Sequence, residues 1–175
     1  MIDVKVRAAE PEDVNAIATV FLDCWKMSYA EVLPASDISR WSVERAHRFW
    51  TEHLVGSTDQ TVSVAVVDQR IAGVARWHTA EAIGDIDSLY VSPEASGRGV
   101  GRTLMEAACS QMADCGCQSA RLWVFEVNES AREFYRRLGF ADDGRRQRSP
   151  DYSIDEIGME KFLPCTNRRA GEHEQ

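Results

Sequence analysis

The stretch that decides the fold of this chain is Leu89-Tyr90-Val91-Ser92-Pro93-Glu94-Ala95-Ser96-Gly97-Arg98-Gly99-Val100-Gly101-Arg102-Thr103-Leu104. It is typical of an apolar strand, a short turn with three glycines and an amphipathic helix. Alternating glycines let the backbone approach a ligand without an intervening Cβ atom. Their amide N–H groups would lie at the positive end of the helix dipole, together with Arg98 and Arg102. The pattern therefore predicts a binding site for a pyrophosphate group.

Three other interpretations of the glycine turn are weaker. A P-loop ends in Gly-Lys-Ser/Thr, whereas residues 101–103 are Gly-Arg-Thr. A dinucleotide fingerprint, G-x-G-x-x-G, begins at Gly99 and fails at Leu104, although Glu126 lies near where a ribose-binding acid would be expected. A tight turn without a ligand is the third interpretation, and two arginines inside the turn argue against it.

Residues 128–140 form a second informative segment, directly after an apolar strand predicted at 120–125. The segment reads Asn-Glu-Ser-Ala-Arg-Glu-Phe-Tyr-Arg-Arg-Leu-Gly-Phe. With it, the chain resembles the GNAT superfamily of acetyl-CoA-dependent N-acyltransferases. That family has Q/R-x-x-G-x-G/A after its fourth strand and N-x-x-A-x-x-F-Y-x-x-x-G-F from its fifth strand into the next helix. The first motif corresponds to residues 96–101, and the second matches at Asn128, Ala131, Phe134, Tyr135, Gly139 and Phe140.

The resemblance covers most of the chain, from about residue 4 to 163, because residues 6–13 also look like the family's first strand and helix start. It implies that acetyl-CoA is the co-substrate and lies between the fourth and fifth strands, which splay apart in the family. Ser96 departs from the pattern, since the family usually has Arg or Gln there to help hold the pyrophosphate. The residues expected to bind the coenzyme are Leu89, Tyr90, Val91, Ser96, Gly97, Arg98, Gly99, Val100, Gly101, Arg102, Thr103, Asn128 and Tyr135.

The pattern of apolar residues predicts an α/β fold with the element order βααβββαβαββ. Strands are predicted at 4–8, 61–67, 71–78, 85–91, 120–125, from 140 onward, and at 154–163. Residues 68–70 are predicted as a hairpin loop and 143–151 as a polar, arginine-rich connection. Helices are predicted from Pro11 to a break at Leu33-Pro34, then at 43–54 behind a Ser42 cap, at 100–115 and at 129–138. The resemblance implies a mixed, mostly antiparallel sheet with flanking helices, as in the GNAT architecture.

Length and composition predict one ordinary globular domain at residues 1–163 and a polar C-terminal tail at 164–175. The chain has 175 residues, of which 44% are hydrophobic and 27% charged. It lacks an apolar run of membrane-spanning length and a signal peptide, so we expect a cytoplasmic protein with no membrane partner. The net charge of −8 argues against a nucleic-acid partner and suits a cationic acceptor, although solvation explains such acids equally well.

The five cysteines do not indicate a disulfide framework or a metal site. Five is an odd number, and neither motif contains a cysteine that could serve as a nucleophile. Cys115 and Cys117 have metal-like spacing, but no histidine lies at a spacing that would complete a site. We therefore predict no metal cofactor.

The resemblance implies attack of an amine on the acetyl-CoA thioester. Asp85 and Asp87 share one face of the fourth strand, so either carboxylate is a candidate base, with Asp85 slightly preferred; both acids being merely solvated is the alternative. As in the family, a bulge within residues 89–91 would free a backbone N–H for the oxyanion. Tyr135 would protonate the leaving thiolate rather than serve only as core, and Asn128 would hydrogen-bond the pantetheine arm or order a water.

The acceptor is expected to lie against the first two helices and their loop. Trp25, Tyr29 and Trp41 are candidates for an aromatic wall around an alkylammonium group, although aromatic residues at helical spacing are more often core. The favoured function is N-acetyl transfer to a small cationic amine, with a homodimer possible. One alternative is acetylation of protein N-termini or lysines, which needs an open groove. Another is a non-catalytic, acyl-CoA-binding regulatory domain.

Overall fold

A computed structural model describes residues 3–56 and 59–164, which form a seven-stranded sheet flanked by helices. The strands are β1 (Lys5–Ala8), β2 (Gln60–Val67), β3 (Arg70–Ala80), β4 (Ile83–Val91), β5 (Ser119–Phe125), β6 (Ala141–Arg148) and β7 (Asp155–Phe162). The helices are α1 (Val14–Met27), α2 (Ala35–Ile38), α3 (Val43–Val55), α4 (Val100–Asp114) and α5 (Glu129–Arg137). Apart from residue 164, the predicted tail lies outside the described residues. Within them, no helix has the length and apolar character to cross a membrane.

The sheet has the order β1-β2-β3-β4-β5-β7-β6, and β4–β5 is its one parallel pair among the described strands. The prediction of a mixed, mostly antiparallel sheet is confirmed. Parallel neighbours cannot be joined by a hairpin, so α4 crosses over the sheet between β4 and β5. This crossover places the first turn of α4 just beyond the carboxyl end of β4, at the predicted glycine turn.

The helical region before β2 differs from the prediction in one element. The break at Leu33-Pro34 is present, but a short helix, α2, follows it and is missing from the predicted order. The predicted cap of α3 is confirmed, because the Ser42 hydroxyl accepts a hydrogen bond of 3.2 Å from the Arg45 amide. The hairpin loop is shorter than predicted: Asp68 and Gln69 form it with φ of 49° and 64°, and β3 begins at Arg70.

The predicted polar connection at 143–151 is wrong, because β6 continues to Arg148. β6 is the outer strand of the sheet and pairs only with β7 among the described strands. An outer strand can carry charged residues along its whole length, so β6 lacks the apolar alternation that identifies inner strands. Its charges pair locally, with 2.7 Å between Arg146 and Asp142 and 2.6 Å between Arg145 and Asp143.

Helix α4 packs closely on one face of the sheet, and α1 and α3 cover the other. Leu104 and Met112 of α4 are fully buried, as predicted. Two strand glycines permit the close approach. A Cβ atom at Gly73 would lie 2.9 Å from Cδ1 of Leu104 and 3.1 Å from the Tyr90 carbonyl oxygen, and one at Gly84 would overlap Met112. Both glycines are therefore required by packing rather than by backbone conformation.

Strands β4 and β5 pair only over their first halves in the described chain. The parallel ladder begins at Ile83–Ser119 and ends at Ile86–Leu122. On the other side of β4, the register with β3 shifts so that Asp87 is the extra residue of a bulge. A bulge bends its strand, and β4 and β5 separate from this point. The bulge expected within residues 89–91 is thus corrected to Asp87.

Gly73→Ala tests the close packing between α4 and the sheet. We expect the free energy of unfolding to fall by about 1–3 kcal/mol, because the added methyl meets a backbone carbonyl as well as Leu104. Urea denaturation measures the change, and Val43→Ala on exposed α3 surface serves as a control with a loss below about 0.5 kcal/mol. Equal stability of Gly73→Ala and the wild type would contradict this account of the packing.

Candidate active site

A cleft of about 560 Å³ lies where β4 and β5 separate. From the α4–α5 side it is lined by Leu89, Asn128, Ala131 and Tyr135. From the α1–α3 side it is lined by aromatic and charged residues of α1, α3, β3 and the β6–β7 loop. The cleft therefore passes through the sheet, and molecules bound on its two faces can meet in the gap.

Half of the predicted site residues lie in this cleft. Among them are the candidate bases Asp85 and Asp87, the candidate acid Tyr135, Asn128, Leu89 and Tyr90, and the aromatic residues Trp25, Tyr29 and Trp41. Val91 and residues 96–103 do not line it. They form a separate, mostly exposed surface at the start of α4.

The glycine turn is open at the positions where a ligand would approach. Gly97 and Gly99 have φ of 72° and 89°, and a Cβ atom at either position would meet nothing within 4 Å. Gly99 precedes the first turn of α4, and among the described residues no backbone carbonyl accepts from the amides of Val100, Gly101 or Arg102. These unpaired amides at a helix N-terminus favour an anion. Gly101 itself is buried, since a Cβ there would lie 3.2 Å from Phe134.

The side chains around this turn contribute unequally. Arg98 is exposed and forms no ion pair with any described residue, so its charge is available to a ligand. Arg102 lies 3.6 Å from Glu106, which partly neutralises it. Thr103 donates its hydroxyl to the Gly99 carbonyl at 3.1 Å, and Ser96 is exposed beside them. Ser96 replaces the Arg or Gln that is usual in the family, but the backbone amides and Arg98 remain available to an anion.

Asn128 and Tyr135 project from the two ends of α5 toward the gap. The Asn128 Oδ1 atom caps α5 by accepting a hydrogen bond of 3.1 Å from the Ala131 amide, so its NH2 group is the part that faces the cleft contents. Tyr135 packs against Phe134 and Phe140, with ring centroids 5.2 and 5.9 Å away. Burial raises the pKa of Tyr135 to about 12, so its hydroxyl carries a proton at neutral pH.

The two candidate bases have different partners on the same wall. The Oδ2 atom of Asp87 lies 2.9 Å from Nδ1 of His78, within hydrogen-bond distance. Asp85 lies 3.8 Å from Nε of Arg121, a longer contact without a hydrogen bond. Of the two aspartates, Asp87 therefore has the closer partner.

The three aromatic residues proposed for the wall lie together, in a cluster that is larger than expected. Trp25 stacks on Tyr29 with centroids 5.0 Å apart and lies 5.9 Å from Trp41. Tyr152 completes the wall 5.0 Å from Trp25, and its hydroxyl accepts a hydrogen bond of 3.2 Å from Trp41 Nε1. Trp25 is almost fully buried, so it packs beneath the other aromatic rings as a core residue.

Three side chains of the cleft, and Cys24 outside its lining, are not identified by the sequence analysis. His78 lies on β3 opposite Asp85, and the alternation of β3 with β4 could have placed it on the same face. Arg76 shares that face two residues earlier. Tyr152 comes from the loop between β6 and β7, where the sequence has no periodic signal. Cys24 donates its thiol to the Val91 carbonyl at 2.8 Å and fixes the end of β4 to α1.

A profile of the acetyltransferase (GNAT) family matches residues 17–140 of this sequence. The chain belongs to the GNAT family. The matched span begins in α1 and ends just before β6, so it contains both the glycine turn and α5. With the GNAT fold and the cleft, this membership makes the protein an acyl-CoA-dependent N-acetyltransferase.

Relatives of the GNAT protein agree with this assignment. The chain is 25% identical over 142 residues to an uncharacterised N-acetyltransferase of Archaeoglobus fulgidus, covering 75% of this chain and 88% of that one. It is 23% identical over 141 residues to a spermidine N(1)-acetyltransferase of Thermoplasma acidophilum, covering 78% and 88%. The crystal structure of a PaiA N-acetyltransferase from Thermoplasma acidophilum in complex with coenzyme A has the same fold. Its TM-score is 0.76 at 22% identity, with coverage of 93% and 100%.

No group of three or more His, Cys, Asp or Glu side chains suited to a metal ion occurs within residues 3–56 and 59–164. Cys24, Cys109 and Cys117 are buried free thiols, and Cys115 is exposed. Cys165 lies outside the described residues.

Gly99→Ala tests the role of the glycine turn in coenzyme binding. We expect the dissociation constant of acetyl-CoA, measured by calorimetry, to rise about tenfold or more, since the methyl lies where the backbone must approach the pyrophosphate. Gly144→Ala on β6 is a matched control. Gly144 also has a positive φ, 84°, and an added Cβ there would meet nothing within 4 Å, but it is not part of the glycine turn. Both variants lose about 1–2 kcal/mol of stability from left-handed strain. Equal coenzyme affinities for the two variants would contradict the assignment.

Proposed function

We propose that this GNAT protein transfers the acetyl group of acetyl-CoA directly to a primary amine of a small molecule that is cationic at its reacting end. The observation that carries the proposal is the cleft itself. It brings a protonated tyrosine from one face of the sheet and a His–Asp pair from the other to the same gap. The spermidine N(1)-acetyltransferase relative supports an amine acceptor.

The glycine turn holds the coenzyme end in this proposal. The free amides of residues 100–102 and the Arg98 side chain bind the pyrophosphate. The pantetheine arm then runs toward the gap past Leu89 and Asn128, whose NH2 group is available as a donor. When bound, the coenzyme supplies the thioester that the amine attacks.

The amine must lose a proton before it attacks. An alkylamine with a pKa near 10.4 is about one part in 10³ neutral at pH 7. Asp87 and His78 form the pair that accepts the proton. Asp85, two residues earlier on β4, adds negative charge that attracts the ammonium group. The structure gives Asp87 the better partner, so we place it ahead of Asp85.

Tyr135 supplies a proton to the departing thiolate. Its pKa of about 12 exceeds that of a thiol in water by about 3.5 units, equivalent to about 5 kcal/mol. Burial that raises the pKa of the phenol raises that of a thiol in the same gap as well, and this narrows the difference. Tyr135 therefore acts as a hydrogen-bond donor that completes proton transfer as the thiolate forms.

The raised pKa values of the buried thiols support direct attack of the amine on the thioester, without an acetylated cysteine. Burial raises the pKa of Cys24 to about 11 and also raises the pKa of Cys109 and Cys117. A thiol is nucleophilic as the thiolate, so these three groups are poor acceptors of an acetyl group at neutral pH. Cys24 also donates its S–H to the Val91 carbonyl.

The acceptor side of the cleft favours a small molecule over a peptide. Arg40 donates to the Asp151 carbonyl, and Trp41 donates to Tyr152 at 3.2 Å. These contacts join the loop before α3 to the loop before β7 across one side of the cleft. A peptide groove would need that side open.

Tyr135→Phe tests the acid role. We expect turnover to fall by roughly 10²-fold, since the ring stays and the donated proton is lost. The assay is thiol release over a panel of small amines, with calorimetry confirming unchanged affinity for acetyl-CoA. Because the pKa of Tyr135 is raised to about 12, its protonated form persists through pH 7–10 and should cause no alkaline loss of wild-type activity. Unchanged turnover would remove Tyr135 from the mechanism.

Asp87→Asn tests the proton acceptor, with Asp85→Asn as its matched comparison. At pH 7 we expect kcat/KM for the amine to fall by roughly 10²-fold in Asp87→Asn and by less in Asp85→Asn. The defect should shrink toward pH 10, where roughly a quarter of the free amine is already neutral. Thiol release measured from pH 6 to pH 10 distinguishes the two aspartates. A larger, pH-dependent loss in Asp85→Asn would assign the role of proton acceptor to Asp85 instead.

A further inference from the structure

The acceptor side of the cleft contains two arginines, Arg76 and Arg45, that form no ion pair with any described carboxylate. Arg76, half-buried on β3, donates to Oε1 of Gln60 at 2.9 Å, and no described carboxylate forms an ion pair with it. Its Nε atom is buried without a hydrogen-bond partner. Burial lowers the pKa of Arg76, and the more distant charge of Asp87 opposes this only in part. A buried guanidinium with donors to spare is costly unless an anion binds it.

Arg45 adds a second positive charge to the same region. Its guanidinium lies over Trp41 at 4.7 Å, and that of Arg76 lies 5.6 Å from the Phe49 ring. The Trp41 and Phe49 centroids are 5.5 Å apart, so the two cations cover neighbouring rings of one pair. Arg45 donates to the Arg40 carbonyl at 3.1 Å and, among the described residues, has no carboxylate partner.

Carboxylates line the neighbouring wall. Arg76 and His78 alternate onto one face of β3, roughly 7 Å apart. His78 is opposite Asp85 and hydrogen-bonded to Asp87. An ammonium group bound at the two aspartates and an anionic group bound at Arg76 could therefore belong to one small molecule, separated by a few covalent bonds.

We propose that the acceptor carries a carboxylate as well as the reacting amine, and that Arg76, assisted by Arg45, binds this carboxylate. The proposal rests on the function proposed above and names the class of substrate: an amino acid rather than a polyamine. The planar guanidinium fork matches a carboxylate in two parallel hydrogen bonds. The nearby aspartates repel a doubly charged phosphate, and the arginines repel the second ammonium of a polyamine.

Matched amines test the proposal on the wild-type protein. The panel contains L-α-amino acids, β-alanine, 4-aminobutyrate and 6-aminohexanoate, each beside its carboxamide, together with putrescine and spermidine. Thiol release from acetyl-CoA gives kcat and KM for each. We expect at least one acid to have a kcat/KM at least tenfold above that of its own amide and above both polyamines.

Substitutions locate the effect. Arg76→Gln should raise KM for the preferred acid about tenfold or more and leave KM for acetyl-CoA and for the matched amide unchanged. Arg76→Lys keeps the charge and should recover part of the loss. Arg45→Gln, at an exposed position that tolerates substitution, should raise the same KM by less. Arg48→Gln, an exposed arginine of α3 outside the cleft, is the control and should leave all constants unchanged.

The outcomes separate this inference from the proposed function. Release with amides or polyamines at least as fast as with acids, or equal losses for acid and amide in Arg76→Gln, overturns the carboxylate site and leaves acetyl transfer standing. Release with no amine on the panel overturns both. Melting temperatures of the variants identify a loss caused by unfolding, and in that case Arg45→Gln decides whether the acid-specific effect exists.

Discussion

The separation of β4 from β5 is the constraint on which the rest of this GNAT structure depends. Up to Ile86 the two strands share a parallel ladder, and at Asp87 a bulge turns β4 away. The gap interrupts the sheet in its middle and exposes β4 to both faces. The glycine turn with α5 on one face and the aromatic and charged residues on the other have a common meeting point for this reason.

The position of the gap follows from packing on both sides of β4. Helix α4 reaches the sheet closely because Gly73 and Gly84 have no side chain, and it thereby fixes where its own first turn lies. Cys24 ties the end of β4 to α1 through the Val91 carbonyl. The geometry of the cleft is therefore held by core contacts, and the reacting groups are placed on strands and helices rather than on free loops.

Sequence reasoning recovered the parts of this protein whose residues carry a local signal. The glycine turn, the cap of α3 and the inner strands have such signals, in closely spaced glycines, Ser42 and apolar alternation. Strand β6 has none, because an outer strand bordered by water need not alternate. The contact of His78 with Asp87 and the partners of Arg76 depend on strand register, which one sequence does not display. The bulge at Asp87 escaped for the same reason.

The contacts that join residues 40–41 to residues 151–152 have a consequence for substrate exchange. They comprise two hydrogen bonds at the rim, each contributing about 1 kcal/mol, and a contact of the Arg40 guanidinium with the Tyr152 ring at 5.8 Å. Parting them breaks no hydrogen bond of the sheet, so fluctuations of the two loops on the nanosecond-to-microsecond timescale of loop motion can open the rim. Entry and exit of a small acceptor thus require movement of these two loops only, and the strands beneath them stay in place.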